Sequence, residues 1–301
     1  MLPLQTIADV AFVERLDGAD ADPASAPDLL VEVPHGADRR AHYDALRRRL
    51  VGELPSDLHA FFHVNTDVGA WQLGRRVAER LLADAPGRSA LLIRCLIPRT
   101  FIDCNRVIDG DPVEAGLTPG LQPYVRDPAD QALLLQLNRD YTDLTRRAYR
   151  LVCGAGGVGF SPHTFAPRSV GISSVGDDIV EQLRWAYEPE RFAGWTLRPE
   201  VDLLTRTPEG EELALPGAAD ALVARFADIG IEAAICKTYD MHPATRANAF
   251  ARSWPGRTLC LEVRRDLLMQ EWTPFEEMHA DPAAVDRFAD PIARVVEGYL
   301  R

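Results

Sequence analysis

The chain lacks any apolar run of the roughly 20 residues needed to cross a bilayer, and its start (Met1 to Asp9) lacks the basic-then-apolar pattern of a secretion signal. It also has few cysteines, five in 301 residues, and none forms a CxxC pair. An odd number of cysteines in a chain of this length argues against a disulfide scaffold and favours buried free thiols. We therefore expect a cytoplasmic protein that does not bind a membrane.

Positive charge is also scarce. The chain has 33 Lys+Arg against 45 Asp+Glu, a formal net charge of -12 and a pI near 5.1. Nucleic acids and anionic membranes are bound by clustered cations, so we expect no nucleic-acid partner. Because 47% of the residues are hydrophobic and 26% are charged, the composition is that of a globular protein and excludes a disordered chain.

Apolar segments of strand length alternate with segments of helical periodicity. This alternation predicts an α/β fold with a mixed, mostly parallel central sheet and helices on both faces. The predicted strands lie at 28–34, 90–97, 157–162, 232–239 and 257–263, and the predicted helices at 41–51, 70–83, 129–153, 179–186, 218–229 and 282–300. Two segments rich in proline, glycine and charge, 109–127 and 187–216, are predicted to be surface loops or a lid near the site.

Polar side chains stand at the ends of three predicted strands. His35 ends DLLVEVPH, His163 ends GVGFSPH, and Glu262 lies inside TLCLEVRR. In open α/β sheets, ligands bind at the carboxyl ends of the strands, so these side chains can converge although they are remote in sequence. Neutral imidazoles with a carboxylate suit a divalent transition metal, and zinc is the commonest choice. Each histidine by itself would more often be a structural residue than a ligand.

Two aspartates are alternatives for a metal-binding carboxylate. Asp67 precedes the predicted helix at 70–83, where it would either cap the helix N-terminus or ligate a metal. Asp38 follows His35 by three residues and competes for the second role.

The segment PRTFIDCNR (98–106) holds several groups that can bind an anion. Arg99, Asp103, Asn105 and Arg106 all follow the predicted strand at 90–97. One hypothesis is a surface loop with an ion pair of little energetic value. The other is a carboxylate or oxyanion clamp, because a guanidinium binds a carboxylate through two hydrogen bonds. In that case Asn105 adds a neutral donor and Asp103 orients Arg106.

Together these segments resemble the N-formylglutamate amidohydrolase family, which is similar in fold and site to zinc carboxypeptidases, aspartoacylase and succinylglutamate desuccinylase. The resemblance runs in order from about residue 28 to residue 268. The matching segments, with the family's patterns in parentheses, are VPHG at 33–36 (PHSG or PHAG), TDVGAWQLGRRVA at 66–78 (an Asp-led helix), PRTFIDCNR (SRxxxDxNR), SPHT at 161–164 (DxHS), RPEVDLLTRTPEGE at 198–211 (a later loop) and LEVRRDLL at 261–268 (QxExRxxLY).

The resemblance implies a phosphorylase/hydrolase-like fold of the zinc carboxypeptidase kind, forming a single hydrolase domain over residues 1–301. It also implies one Zn²⁺ ion, held by two histidines and one carboxylate, although another divalent transition metal would also suit. Carried over position by position, the imidazoles are His35 and His163. The carboxylate is Asp38 by carboxypeptidase spacing or Asp67 by the family's own pattern, and we favour Asp67 while keeping both.

The same resemblance assigns roles to four further residues. Glu262 corresponds to the general base of carboxypeptidases. Arg106 and Asn105 correspond to the pair that grips a substrate carboxylate, and Arg99 would polarise the scissile carbonyl. We also expect three residues near these segments to form pocket walls that contact substrate, namely Arg168, Tyr239 and His242.

The chain departs from the family's pattern at several positions. The serine of the family's PHSG pattern is replaced, and the chain has Gly36–Ala37 there. Ser161 and Thr164 replace the Asp and Ser of DxHS, and this change removes a hydrogen-bond partner near His163. We therefore expect a metal-dependent amidohydrolase acting on a small acidic amide or peptide, without assuming formylglutamate as the substrate. The alternatives are carboxypeptidase-like peptide trimming and a non-catalytic binding protein on the same scaffold.

Overall fold

The computed structural model describes residues 4–108, 118–172 and 174–300. Strands and helices alternate along the chain, as the apolar pattern predicts. Their bounds in chain order are β1 (Ala11–Asp17), β2 (Leu29–Val33), α1 (Arg40–Arg47), α2 (Leu58–Asn65), α3 (Ala70–Asp84), β3 (Ser89–Cys95), α4 (Pro128–Val152), β4 (Val158–Phe165), β5 (Arg168–Ser169), α5 (Ile179–Ala186), α6 (Pro189–Gly194), β6 (Thr196–Leu197), β7 (Val201–Leu203), α7 (Ala218–Asp228), β8 (Ala233–Ile235), α8 (Arg246–Ser253), β9 (Thr258–Arg264) and α9 (Pro282–Glu297).

In the described part of the chain, seven strands form one sheet in the order β1-β3-β2-β4-β9-β7-β8. The pairs β2/β3, β2/β4, β4/β9 and β7/β8 are parallel, whereas β1/β3 and β7/β9 are antiparallel. The predicted mixed, mostly parallel sheet is therefore confirmed. Because β3, β2, β4 and β9 are parallel neighbours, their carboxyl ends all meet at one edge of the sheet.

Helices cover both faces of the sheet, as predicted. Alternate residues of β2 point to opposite faces, so Leu29, Val31 and Val33 enter a core with α3, α7 and α9, whereas Leu30 enters a core with α1, α2, α4 and α5. Each fully buried leucine or valine contributes roughly 1.5–3 kcal/mol through removal of apolar surface from water. The two cores hold the sheet, and with it the positions of the strand ends.

Helix α3 packs on the sheet at a residue without a side chain. A Cβ atom at Gly74 would lie 2.5 Å from Val31 Cγ1 and 3.1 Å from Pro162 Cγ. A larger residue would therefore push the helix away from β2, which leads into the turn with His35, and from β4, which contains His163.

We expect the Gly74→Leu variant to lose about 1–3 kcal/mol of unfolding free energy through overpacking, although leucine has the higher helix propensity. Urea denaturation measures the change. Gly87→Ala is the matched control, because a Cβ at Gly87 would meet no atom within 4 Å. The control should change stability by less than about 0.5 kcal/mol. An unchanged unfolding midpoint for Gly74→Leu would contradict the close packing of α3.

Two predictions about irregular segments need correction. The segment 187–216 is not simply a loop, since it contains α6, β6 and β7, and β7 is a strand of the central sheet. Such short elements give no periodic signal in a stretch rich in proline and charge. Of the predicted loop 109–127, residues 109–117 lie outside the described part. Residues 118–127 contain no helix or strand but bury Tyr124, so they are not wholly a surface loop.

The predicted strand 232–239 is also too long, because β8 ends at Ile235. Cys236 has a φ of 49°, a left-handed conformation that ends the strand. The backbone N–H groups of residues 237–239 then donate to the buried carboxylate of Asp202, at N–O distances of 2.6–3.4 Å. This turn brings Tyr239 to the same edge of the sheet as the ends of β4 and β9.

All five cysteines are free thiols, and four of them are buried, as the sequence predicts. Among the residues that the structure describes, no helix combines the length and the apolar character that a membrane span requires.

Candidate metal centre

The carboxyl edge of the sheet brings remote polar residues together. His35 lies in the turn two residues after the end of β2, and His163 lies near the end of β4. Glu262 of β9 is the register partner of His163 on the adjacent parallel strand. The strand pattern in the sequence thus places these three side chains at one edge, as expected.

His35, Asp67 and His163 form a compact, buried group. The Nδ1 atom of His35 lies 3.2 Å from Asp67 Oδ2, and the Nδ1 atom of His163 lies 3.0 Å from the same oxygen. One ligand atom from each residue lies within 4.8 Å of the others, and no other group of three or more His, Cys, Asp or Glu residues in the described chain does so. Three such atoms can hold a metal ion.

The structure distinguishes between the two candidate metal-binding carboxylates, Asp67 and Asp38. Asp67 lies between the histidines, and its side chain caps no helix, since α3 has no side-chain cap. The capping alternative is therefore wrong. Asp38 is also buried, but its Oδ1 accepts from Arg94 Nη2 at 2.5 Å, and Asp38 is outside the His35–Asp67–His163 group.

The outer nitrogens of both histidines are also hydrogen-bonded. His35 Nε2 lies 2.7 Å from Asp103 Oδ1, and His163 Nε2 lies 3.4 Å from Ser161 Oγ. Metal-binding histidines in proteins are typically held through the second nitrogen in this way, which fixes the tautomer and the ring orientation. Both imidazoles can thus direct an unprotonated Nδ1 towards a common centre beside Asp67.

The side chain of Asp103 contacts residues other than the one that the sequence hypothesis names as its partner. Its carboxylate accepts from Arg99 Nη2 at 3.1 Å and contacts His35, and it forms no hydrogen bond with Arg106 in the described chain. No side-chain hydrogen bond among the described residues supports the hypothesis that Asp103 orients Arg106, although the charge of Arg106 helps to lower the pKa of Asp103. Asp103 is a buried link between Arg99, four residues earlier in the chain, and His35, and the contact with His35 has no signature in the local sequence.

Arg99 binds both buried aspartates. Its Nη1 donates to Asp67 Oδ1 at 3.3 Å, and its Nη2 donates to Asp103. Burial alone would raise the pKa of Asp67, but the neighbouring imidazoles and the Arg99 guanidinium outweigh burial and hold this pKa well below its usual value. The same balance holds the pKa of Asp103 low. Both groups are therefore carboxylates at neutral pH.

Glu262 differs from these aspartates. Its Oε2 atom is buried and has no hydrogen-bond partner in the described chain. Burial raises the pKa of Glu262 above its usual value, with the nearby charge of His163 opposing the shift. A buried carboxylate oxygen without a hydrogen bond is costly to maintain, so the position of Glu262 beside the His35–Asp67–His163 group points to a chemical role.

A cavity of about 430 Å³ opens over this group. Its volume is in the range of small-molecule sites. Among the predicted site residues, those that line it are His35, Arg99, Asn105, Arg106, His163, Arg168, Tyr239, His242 and Glu262. The predicted residues that do not line it are Asp38, Asp67 and Asp103. Residues from both predicted loop segments, Thr118 and Arg198 among them, also reach the cavity.

Asn105 and Arg106 are held at the rim by backbone contacts. Asn105 Oδ1 accepts from the backbone N–H of Ala247 at 3.2 Å, which leaves its Nδ2 as a donor without a partner in the described chain. Arg106 Nε donates to the Thr118 carbonyl at 3.3 Å. Two types of donor, a neutral amide and a cation, thus stand side by side on the cavity wall.

The other predicted pocket walls are also anchored. Arg168 donates to the Trp195 carbonyl at 2.6 Å, and His242 Nδ1 accepts from the N–H of Ala244 at 3.0 Å. Tyr239 accepts from Arg198 Nη2 at 2.9 Å.

Sequence reasoning missed two arginines near the cavity. Arg198 lies over the rings of Phe165 and Tyr239. Arg265 is buried and donates to the carbonyls of Val64 and Thr164 at 2.8 and 3.2 Å. The position of Arg265 could have been inferred, since it follows Glu262 at the end of the same strand. Arg198 begins the matching segment at 198–211, but nothing in that segment singles it out as a cavity residue.

No family model matches the chain, and no curated protein matches it at a significant level. Its fold, however, matches solved structures over almost the whole length. A gene product of Agrobacterium tumefaciens shares 17% identity at a TM-score of 0.58, with 99% of this chain and 98% of the other covered. An N-formylglutamate amidohydrolase from Ralstonia eutropha JMP134 shares 17% identity at a TM-score of 0.57, with 97% and 99% covered. The chain has their fold. The resemblance found in the motifs is therefore confirmed at the level of the fold.

Proposed function

We propose that this protein is a metal-dependent hydrolase that cleaves the amide bond of an N-acyl amino acid or modified peptide with a free carboxylate. The observation that carries the proposal is the buried His35–Asp67–His163 group at the base of a cavity that Glu262 also lines, with a buried Glu262 oxygen that has no hydrogen-bond partner in the described chain. The fold shared with an N-formylglutamate amidohydrolase supports the reaction class.

The donor set fits a divalent transition metal. Two imidazole nitrogens and one carboxylate oxygen are the ligands of catalytic zinc sites, which keep a further position open. We propose Zn²⁺, held by His35, Asp67 and His163. When bound, such an ion supplies electrophilic polarisation of a carbonyl and acidifies water from a pKa of about 15.7 towards 7.

Glu262 is then the general base. It takes a proton from the attacking water as the new C–O bond forms and the carbonyl π bond opens. It then delivers that proton to the amide nitrogen, so that the C–N bond breaks, the carbonyl re-forms and the amine leaves. Its raised pKa suits a group that must first accept a proton and then release it. Arg99, fixed on Asp67 and Asp103, stabilises the negative charge that develops on the carbonyl oxygen, a contribution of about 3–4 kcal/mol for a well-placed donor.

Asn105 and Arg106 bind the carboxylate of the substrate. A hydrogen bond to a charged group contributes roughly 1.5–3 kcal/mol, so the Arg106→Ala variant should raise KM for acidic substrates about 10- to 100-fold, with a smaller change in kcat. Steady-state kinetics measures both constants. Arg126→Ala is the control, because Arg126 is exposed and lies outside the cavity lining. If KM is unchanged in Arg106→Ala, the carboxylate clamp is wrong.

The size of the cavity favours a small substrate. A volume of about 430 Å³ is near the lower end of ligand sites, which suits an acyl amino acid better than a long peptide. The test is release of free amine by the zinc-loaded protein from a panel of N-formyl and N-acetyl amino acids, starting with N-formylglutamate, and of dipeptides. Faster cleavage of dipeptides would favour the carboxypeptidase-like alternative. No release from any panel member would contradict a hydrolase and favour the binding-protein alternative.

A further inference from the structure

A second buried carboxylate lies beneath the metal centre, inside the sheet. Glu32 is in the middle of β2 and is only 4% exposed. Glutamates are almost never buried to this extent unless they are paired, because removing the charge from water is costly. Both oxygens of Glu32 accept hydrogen bonds. The hydroxyl of Tyr141 on α4 donates to Oε1, and Ser161 Oγ donates to Oε2 at 3.3 Å.

Ser161 connects this carboxylate to a histidine of the metal centre. Ser161 and His163 are two residues apart on β4, so their side chains lie on the same face of the strand. Ser161 Oγ is 3.4 Å from His163 Nε2. A serine hydroxyl has one proton and two lone pairs. If its proton is given to Glu32, the oxygen can only accept from His163, which places the imidazole proton on Nε2.

That proton position decides whether His163 can bind a metal. With the proton on Nε2, the lone pair is on Nδ1, the nitrogen that lies 3.0 Å from Asp67 Oδ2. The opposite tautomer would direct an N–H into the centre. A carboxylate also lies behind His35, but without an intervening hydroxyl, since Asp103 contacts Nε2 of His35 directly at 2.7 Å. The two histidines are thus backed by carboxylates, one directly and one through a hydroxyl.

We propose that Glu32 is a positioning residue of the metal centre, which holds His163 in its metal-binding tautomer through Ser161. The inference rests on the proposed function, because it assigns a metal to the His35–Asp67–His163 group. It also explains how His163 can be oriented in this chain although Ser161 replaces the aspartate of the DxHS pattern in the family that the chain resembles. The carboxylate is supplied by the neighbouring strand β2 instead.

The test compares the affinity of purified variants for Zn²⁺ and Co²⁺, measured by competition with a chromophoric chelator. The double variant Glu32→Met/Tyr141→Phe removes the acceptor without leaving the tyrosine hydroxyl unpaired. It should bind both ions about 10- to 100-fold more weakly, the effect typical of partners that orient a ligand. Tyr141→Phe alone keeps the link between Glu32 and Ser161 and should bind like the wild type. Ser161→Ala should weaken binding as much as the double variant does.

A rescue variant separates this role from simple packing. Adding Ser161→Asp to the double variant places a carboxylate directly at His163 and should restore most of the lost affinity. Wild-type affinity in the double variant would overturn the inference, as would an equal loss in Tyr141→Phe alone. If the double variant does not fold, as judged by circular dichroism, Ser161→Ala provides the same comparison. A wild-type protein that binds neither ion would overturn the proposed function itself, whereas unchanged affinity in the variants would overturn only the role of Glu32.

Discussion

The Glu262→Gln variant is expected to lose about 10²- to 10⁴-fold in kcat, the usual contribution of a general acid–base group, while it keeps its metal. Glutamine has the shape of glutamate but cannot accept the proton of water. Glu262 is not in the His35–Asp67–His163 group, and its buried Oε2 has no partner in the described chain that the substitution would disturb. Binding of the metal and of the substrate carboxylate should therefore remain near normal.

Three measurements on this variant decide the role of Glu262. Single-turnover and steady-state rates give the loss in kcat, and elemental analysis gives the metal content. Asp266→Asn is the matched control, because Asp266 lies two residues past the end of the same strand, bonds only to Arg264 among the described residues and does not line the cavity. This control should retain its rate. A near-normal kcat in Glu262→Gln would remove Glu262 from the mechanism, and loss of metal would reassign it as a ligand.

The sequence predicts those parts of the fold that depend on local patterns. Continuous apolar runs mark the buried parallel strands, and β2, β4 and β9 lie within about three residues of their predicted bounds. The start of α4 follows from Asp127 and Pro128, and Asp127 does cap the helix by accepting from Ala129 N–H at 2.8 Å. Since parallel strands end at one edge, the same patterns place His35, His163 and Glu262 together.

Features that depend on tertiary contacts are not predictable in this way. Strand β1 alternates only weakly between buried and exposed residues, and β7 is three residues long, so neither has a clear sequence signal. Helix α2 is apolar on nearly all sides and therefore lacks helical periodicity. The partners of Glu32 lie on α4 and β4, and Asp103 contacts His35, which is remote in sequence. Only the tertiary structure determines these contacts.

The choice between Asp38 and Asp67 shows this limit most clearly. By spacing from His35, Asp38 is the acid that a carboxypeptidase would use. Strand register, however, pairs Val33 with Arg94 on β3, which brings the Arg94 guanidinium beside the turn that carries Asp38. Arg94 also donates to the Gly36 carbonyl at 2.8 Å. Asp38 is thus neutralised by Arg94, while Asp67, from a different segment, lies between the two imidazoles.

The matched pair Asp67→Asn and Asp38→Asn turns this difference into a prediction. Both substitutions remove one buried negative charge with little change in shape. Asp67→Asn should weaken zinc binding by at least about 100-fold, because it removes the carboxylate that both Nδ1 atoms face. This loss is at the upper end of the about 10- to 100-fold effect of removing a residue that only orients a metal ligand. Amidase activity should fall with the metal content.

Asp38→Asn should keep one metal ion per chain, because Asp38 pairs with Arg94 and Arg39 and with no histidine of the centre. Its expected cost is in stability, since Arg94 loses its charged partner while retaining the Gly36 carbonyl and the ring of Trp71. Metal content by elemental analysis and unfolding free energy by urea denaturation separate the two effects. Loss of the metal in Asp38→Asn with full retention in Asp67→Asn would exchange the roles of the two acids. It would also require the segment around Asp38 to rearrange when the ion binds.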